Sequence, residues 1–115
     1  MPGKVRKMVT LGGPHMGVDA IPHCLSGPIC EVVNGIARKL VYKPIVQDHL
    51  SPAGYFRDVQ NWDEYVAKSV FLASLNNEAK DEDPKRKARF SALDSMFLVK
   101  WSEDTMIYPK ETAWF

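Results

Sequence analysis

The segment Ser95-Met-Phe-Leu-Val-Lys-Trp-Ser-Glu-Asp104 decides how this chain is expected to fold. Its apolar run over residues 96–99 is too short for a helix and rich in β-forming residues, which predicts a strand buried on both faces. Two carboxylates, Glu103 and Asp104, follow the run. The carboxyl ends of parallel strands form the sheet edge at which α/β proteins place their chemistry. Asp104 is therefore a candidate for the acid that orients a catalytic histidine.

A purely local role for Asp104 is also open, because an aspartate in a turn often caps its own loop. On an extended backbone neighbouring side chains point in opposite directions, so only one of Glu103 and Asp104 can face a histidine. The chain contains no Gly-x-Ser-x-Gly segment, the turn that exposes the nucleophilic serine in α/β hydrolases. The sequence thus offers one part of a hydrolase site without its nucleophile.

Bulk properties exclude several classes of protein. The 115 residues amount to one domain, and 45% hydrophobic with 25% charged residues is an ordinary globular composition. A net charge of +1 over the whole chain gives no electrostatic case for nucleic acid or an anionic membrane. No apolar run approaches the ~18 residues of a membrane span, and no signal peptide is visible at the start.

The apolar spacing predicts an alternation of strands and helices. A strand is expected over residues 5–13, and helices over residues 29–41 and 63–76, the last with Asp63 as its N-cap. A further helix is expected to start at Pro84, while residues 47–60 are predicted to be a surface excursion. The order strand, insertion, helix, helix, strand favours an α/β architecture with a parallel sheet.

The two cysteines leave their chemistry open. Cys24 and Cys30 lie six positions apart around turn-forming residues, so they are equally compatible with a short disulfide loop and with two unrelated buried thiols. A zinc site is less favoured, because His15, His23 or His49 would have to converge from different segments.

Four segments in order along the chain resemble one known family. They are Val9-Thr-Leu-Gly-Gly-Pro-His-Met-Gly17, Gln47-Asp-His-Leu-Ser-Pro-Ala-Gly-Tyr55, Phe71-Leu-Ala-Ser-Leu-Asn-Asn-Glu78 and Trp101-Ser-Glu-Asp-Thr-Met-Ile-Tyr-Pro-Lys-Glu-Thr-Ala-Trp-Phe115. Together they are similar to the palmitoyl-protein thioesterases, and the resemblance covers essentially the whole chain. It implies a partial α/β-hydrolase fold in which residues 1–115 belong to a single domain and residues from about 20 to 60 form a cap-like insertion.

The resemblance also implies roles for particular residues. Asp104-Thr-Met-Ile-Tyr-Pro109 matches the family's segment for the acid of a Ser–Asp–His triad, which makes Asp104 the expected catalytic acid. The Cys24 and Cys30 pair matches a family disulfide, and the family is secretory and lysosomal, so that localisation is expected for the complete protein. His15 is not expected to be the catalytic base, since the family's histidine lies later in the chain.

The implied reaction is hydrolysis of long-chain fatty acyl thioesters on protein cysteines. The substrates would be S-acylated proteins, peptides or other acyl thioesters, with no cofactor, no metal, no nucleic acid and no transmembrane segment. The family's serine would precede residue 1 and its histidine would follow Phe115, so we expect a fragment that is inactive by itself. The alternatives are a lipase or carboxylesterase of the same fold, or a short non-catalytic form that binds lipid or a partner.

The resemblance leaves the substrate-binding residues undefined. Apolar residues of the cap-like segment are candidates for an acyl groove, although packing in a core explains each of them equally well. These candidates are Ile29, Val33, Ile36, Leu40, Leu50 and Tyr55.

Overall fold

The computed structural model describes residues 4–115. Two strands, five α-helices and two 3-10 helices are described within this range. In chain order they are β1 (Lys7–Leu11), α1 (Pro28–Leu40), α2 (Pro44–His49), a 3-10 helix (Ser51–Tyr55), α3 (Trp62–Lys68), α4 (Leu72–Leu75), α5 (Pro84–Ser91), β2 (Ser95–Val99) and a 3-10 helix (Lys110–Trp114).

The two strands pair in parallel over their full length, as the sequence predicts. Lys7 lies opposite Ser95, and Leu11 lies opposite Val99. The pairing continues beyond the strands, because the amide N–H of Gly12 donates to the carbonyl of Val99 at 2.8 Å. The loops after β1 and β2 therefore leave the sheet side by side at its carboxyl edge.

One expectation for β2 is wrong in the described chain. The strand was expected to be buried on both faces, but Phe97 is 66% exposed, and its neighbour Val9 on β1 is 64% exposed. Met8, Thr10, Met96 and Leu98 point to the opposite face and are half-buried. Because successive side chains of a strand alternate between faces, only one face of this sheet is covered by residues 4–115.

The helices follow the predicted pattern with shifts at their ends. α1 occupies the predicted segment, and α5 begins at Pro84 with Asp83 as its N-cap. The single helix expected over residues 63–76 is instead divided into α3 and α4. The N-cap of α3 is Asn61 rather than Asp63, while Asn76 ends α4 as expected. Short apolar runs fix the presence of a helix better than its limits.

The largest buried cluster lies among the helices rather than at the sheet. Its members are Val41, Tyr42, Ala53, Phe56, Tyr65, Leu72 and Ala73. The prediction that residues 47–60 form a surface excursion is therefore wrong. The segment is buried at Gln47, whose side-chain amide donates to the carbonyls of Val41 and Ala53 at 2.8 and 2.9 Å. Its oxygen accepts from the N–H of Val70, so this buried amide connects three separate segments.

Candidate active site

Asp104 lies in the loop that follows β2 and shapes that loop with its own side chain. Its Oδ1 accepts hydrogen bonds from the backbone N–H groups of Met106 at 2.8 Å and Ile107 at 3.0 Å. This is the local capping role that the sequence left open. The structure records no hydrogen bond to Oδ2 from the residues it describes. One carboxylate oxygen is thus used to hold the loop, and the other remains available to a further donor.

The loop that carries Asp104 is held against the segment that follows β1. The backbone N–H of His23 donates to the carbonyl of Thr105 at 3.2 Å, and that of Asp19 donates to Tyr108 at 2.8 Å. At the far side of the loop the ammonium of Lys110 donates to the carbonyl of Ser102 at 2.7 Å. These contacts hold the Asp104 loop in place beside the sheet edge.

A disulfide joins Cys24 to Cys30, with their Cα atoms 5.1 Å apart. The disulfide closes the loop between the start of α1 and the segment that hydrogen-bonds to Thr105 and Tyr108. The side chain of Asn34 reinforces this loop, since its amide donates to the carbonyl of Cys24 at 2.8 Å and its oxygen accepts from the N–H of Ile21 at 2.9 Å. The start of α1 is therefore tied to the candidate site through covalent and hydrogen-bonded links.

His15 is part of the loop after β1 and makes structural contacts there. Its Nε2 lies 2.8 Å from the hydroxyl oxygen of Thr10, and its ring stacks on Phe115 with centroids 4.5 Å apart. Its carbonyl accepts from the side-chain amide of Asn76 at 2.7 Å. Partial burial lowers the pKa of His15, which favours the neutral imidazole. These contacts tie the loop after β1 to Thr10, Asn76 and Phe115.

The other two histidines are exposed. The ring of His49 contacts the carbonyl of Ile45 at 3.0 Å within α2, and the side chain of His23 is exposed. Within residues 4–115 no three His, Cys, Asp or Glu side chains are grouped as metal ligands. No helix in the described part of the chain has the length and apolarity needed to cross a membrane.

Two cavities of the described chain have walls that do not include Asp104. The larger, about 770 Å³, lies between β1 and α5 and includes Thr10, His15 and Phe90 in its wall. The smaller, about 270 Å³, lies between Met16 and Thr112. Neither is lined by the six apolar residues proposed above for an acyl groove.

Several contacts at the site were not predictable from sequence spacing. Asn76, expected only to end a helix, reaches across the chain to the carbonyl of His15. Arg38 of α1 lies 2.6 Å from the Asp19 carboxylate and 3.1 Å from that of Asp58. The hydrogen bond that the Arg38 guanidinium donates to the Asp19 carboxylate, together with the negative charge of both carboxylates, raises the pKa of Arg38. The sequence shows that Arg38 lies on the polar side of α1, but it does not identify Asp19 and Asp58 as its partners, because both are distant in sequence.

A parallel strand pair with helices between the strands, and an aspartate ordered at the carboxyl edge of the second strand, define an α/β protein. The family model for palmitoyl protein thioesterase matches residues 1–115. This chain belongs to the palmitoyl protein thioesterase family.

Curated relatives agree with this assignment. The chain is 35% identical to palmitoyl-protein thioesterase 1 of Caenorhabditis elegans over 96% of its own length and 37% of that protein. It is 34% identical to palmitoyl-protein thioesterase 3 of Dictyostelium discoideum, over 97% of the chain and 37% of the relative. It is 27% identical to lysosomal thioesterase PPT2-B of Xenopus laevis, over 96% of the chain and 38% of the relative. The chain thus spans less than half the length of each of these relatives.

Proposed function

We propose that this chain is part of a serine thioesterase that removes long-chain fatty acyl groups from protein cysteines. The observation that carries the proposal is the ordered Asp104 loop at the carboxyl edge of β2, in a chain that belongs to the thioesterase family. The substrates are S-acylated proteins or peptides and related acyl thioesters. Residues 1–115 then form part of one α/β-hydrolase domain, and residues from about 20 to 60 form its cap-like insertion.

Asp104 is the acid of the triad in this proposal. Its Oδ1 is occupied by the N–H groups of Met106 and Ile107, so the carboxylate keeps a fixed orientation. Its Oδ2 then accepts the ring N–H of the triad histidine, fixes the tautomer of that histidine and stabilises its charged form. The capping role of Asp104 and its catalytic role are compatible, because they use different oxygens.

The reaction follows from this arrangement. A serine hydroxyl attacks the thioester carbonyl while the histidine takes its proton, and the histidine then protonates the departing cysteine sulfur. Water hydrolyses the resulting acyl-serine ester with the same histidine as base, releasing the fatty acid. The serine and histidine come from outside residues 1–115 in this proposal, so the isolated chain is inactive.

A lysosomal or secretory localisation is part of the proposal. The disulfide between Cys24 and Cys30 supports it, because disulfides persist in oxidising compartments. One relative, from Xenopus laevis, is named a lysosomal thioesterase. Immunofluorescence of the endogenous protein with a lysosomal marker tests this assignment.

The first experiment is to sequence both ends of the native transcript. The expected result is an upstream Gly-x-Ser-x-Gly segment and a downstream histidine. The protein encoded by that transcript is then assayed on an S-palmitoyl peptide and on the matched O-palmitoyl serine ester. Faster hydrolysis of the thioester supports the proposal, and preference for the ester favours a lipase or carboxylesterase. A transcript that begins at Met1 and ends after Phe115 contradicts the catalytic proposal for this product.

A further inference from the structure

The polar side of α1 contacts the loop that follows β1 at several points. The guanidinium of Arg38 lies 2.6 Å from the carboxylate of Asp19 and donates to the carbonyl of the same residue at 3.2 Å. Asn34, one turn earlier on the same side of the helix, donates to the carbonyl of Cys24 at 2.8 Å and accepts from the N–H of Ile21 at 2.9 Å. Two side chains of α1 therefore hold the two ends of one short stretch of this loop.

The same stretch, residues 19–24, in turn contacts the loop of the proposed catalytic acid, and it is called the supporting segment below. The N–H of Asp19 donates to the carbonyl of Tyr108 at 2.8 Å, and the N–H of His23 donates to the carbonyl of Thr105 at 3.2 Å. The two N–H groups that the acid's carboxylate caps lie between these two carbonyls in sequence. Two successive layers of hydrogen bonds thus connect α1 to the capped turn.

The guanidinium of Arg38 is itself held by a second carboxylate. It donates to Oδ1 of Asp58 at 3.1 Å, and Asp58 is only 4% exposed. The same oxygen accepts from the N–H groups of Gln60 at 3.0 Å and Asn61 at 3.2 Å, so its position is fixed by the main chain. The planar guanidinium can contact Asp58 and Asp19 at once because its N–H groups form a rigid fork, which a lysine side chain lacks.

The contacts between α1 and the supporting segment are specific in their geometry. Each side chain ends on main-chain or carboxylate atoms of the segment, and the disulfide between Cys24 and Cys30 attaches its end to the first turn of the helix. Ion pairs of partly exposed side chains add little to the free energy of unfolding, so overall stability is a weak explanation for this arrangement. Directional hydrogen bonds to backbone atoms fix instead where the segment lies.

We propose that Arg38 and Asn34 are positioning residues for the catalytic acid: they hold the supporting segment, and this segment holds the turn that the Asp104 carboxylate caps. The inference rests on the proposed function, in which Asp104 orients the triad histidine. Neither positioning side chain touches the substrate or the reacting atoms. A shift of the capped turn moves Oδ2 of Asp104 away from the histidine, and a misplacement of about 1 Å can lower the rate of a catalytic site about 10²-fold.

The first test measures thiol release from an S-palmitoyl peptide by the complete protein that contains residues 1–115. Arg38→Met removes both ion pairs, and Asn34→Leu removes both hydrogen bonds at similar volume; each should lower kcat about tenfold or more while KM stays within about threefold. Arg38→Lys keeps the charge without the fork and should give an intermediate kcat. Glu78→Gln is the matched control: it breaks an ion pair with Arg57 that includes no atom of the supporting segment, so kcat should stay within about twofold.

A double-mutant cycle separates positioning of the acid from a general loss of stability. Arg38→Met added to Asp104→Asn should lower kcat by less than about twofold further, because Arg38 acts through a carboxylate that the second variant no longer has. A loss of kcat that came from general destabilisation would instead multiply with the effect of Asp104→Asn. Full multiplication of the two effects therefore overturns the proposal.

A second readout needs no catalysis. The N–H groups of Met106 and Ile107 report whether the Asp104 carboxylate still caps its turn, and their hydrogen–deuterium exchange should be about tenfold or more faster in Arg38→Met than in the unmodified protein. If Arg38→Met does not fold, Arg38→Lys gives the same readout with a smaller expected change. Unchanged exchange, or a folded Arg38→Met protein that keeps kcat within about twofold, overturns the proposal. An unmodified complete protein without thioesterase activity contradicts the proposed function, and the exchange result then decides by itself whether α1 holds the capped turn.

Discussion

Replacing Asp104 with asparagine separates the loop-capping role of this side chain from its proposed catalytic role. Asparagine keeps an Oδ1 that can accept from the N–H groups of Met106 and Ile107, so the loop retains both hydrogen bonds. It loses the negative charge and can present an NH₂ group where Oδ2 stood. A histidine facing that amide is held in the wrong tautomer and loses the stabilisation of its charged form. We therefore expect a large effect on activity and a small effect on folding.

The expected magnitudes differ between two substitutions. In a chimera in which residues 1–115 replace the matching segment of the Caenorhabditis elegans relative, Asp104→Asn should lower kcat about 10⁴-fold, or ~5 kcal/mol in barrier height. Its free energy of unfolding should change by less than ~0.5 kcal/mol. Asp104→Ala should lower activity similarly. It should also cost about 1–2 kcal/mol of stability, because it removes both loop hydrogen bonds.

The assay follows release of free thiol from an S-palmitoyl peptide, with urea denaturation measured in parallel. Glu103→Gln is the matched control, because Glu103 is exposed and should leave kcat within about twofold. An Asp104→Asn chimera that keeps more than about a tenth of the kcat would refute the assignment of the triad acid. An equal loss of stability in Asp104→Asn and Asp104→Ala would refute the proposal that Oδ1 holds the loop while Oδ2 accepts from the histidine.

Three further predictions concern the core and its titration. Leu72 is fully buried, so Leu72→Ala should lower the free energy of unfolding by about 2–5 kcal/mol in urea denaturation, and half-exposed Leu75→Ala should cost clearly less. Gly17→Ala should destabilise the fold strongly, because Gly17 has a φ of 80° and the new Cβ would lie 2.5 Å from the backbone oxygen of Tyr55. The Cβ of Gly35→Ala would have no atom within 4 Å, so this control should stabilise α1 slightly. Calorimetry measures both changes. Burial raises the pKa of Tyr42 to about 12, so the folded state holds its proton longer than the unfolded state and stability should fall from pH ~10 upward. The free energy of unfolding, measured by denaturation at pH 8 to 12, should fall less steeply with pH in the Tyr42→Phe variant. An equally steep fall in the variant would contradict the raised pKa of Tyr42.

Local patterns predicted the elements that depend on neighbouring residues. The apolar runs gave both strands, the Pro84 start gave α5, and the turn residues around Cys24 and Cys30 were compatible with the disulfide. The division of residues 63–76 into two helices was not foreseen, because apolar spacing is the same on both sides of the break. The N-cap of α3 was predicted two residues too late, because the ends of helices fray and are weakly specified by the local sequence.

Burial was predicted poorly where it depended on distant partners. The Ser-Pro-Ala-Gly sequence suggested that residues 47–60 lie on the surface. Gln47 is nevertheless buried, and its amide bonds to Val41, Ala53 and Val70. Conversely, the stripe of α1 has the spacing of a core helix but is exposed within the described chain, to which α1 is joined by Arg38 and Asn34 instead. A hydrophobic pattern identifies the apolar face of an element without identifying what covers it.

The sequence by itself determined that this is an α/β chain of the thioesterase family and that Asp104 follows the second strand, because strand runs and family motifs are local in the chain. Only the tertiary structure decided that Oδ1 of Asp104 caps its own loop and that the apolar side of α1 is exposed in the described chain. It also decided that the main buried cluster lies between residues 41 and 73. These outcomes depend on hydrogen bonds and ion pairs between residues far apart in sequence, whose geometry exists only once the chain is folded.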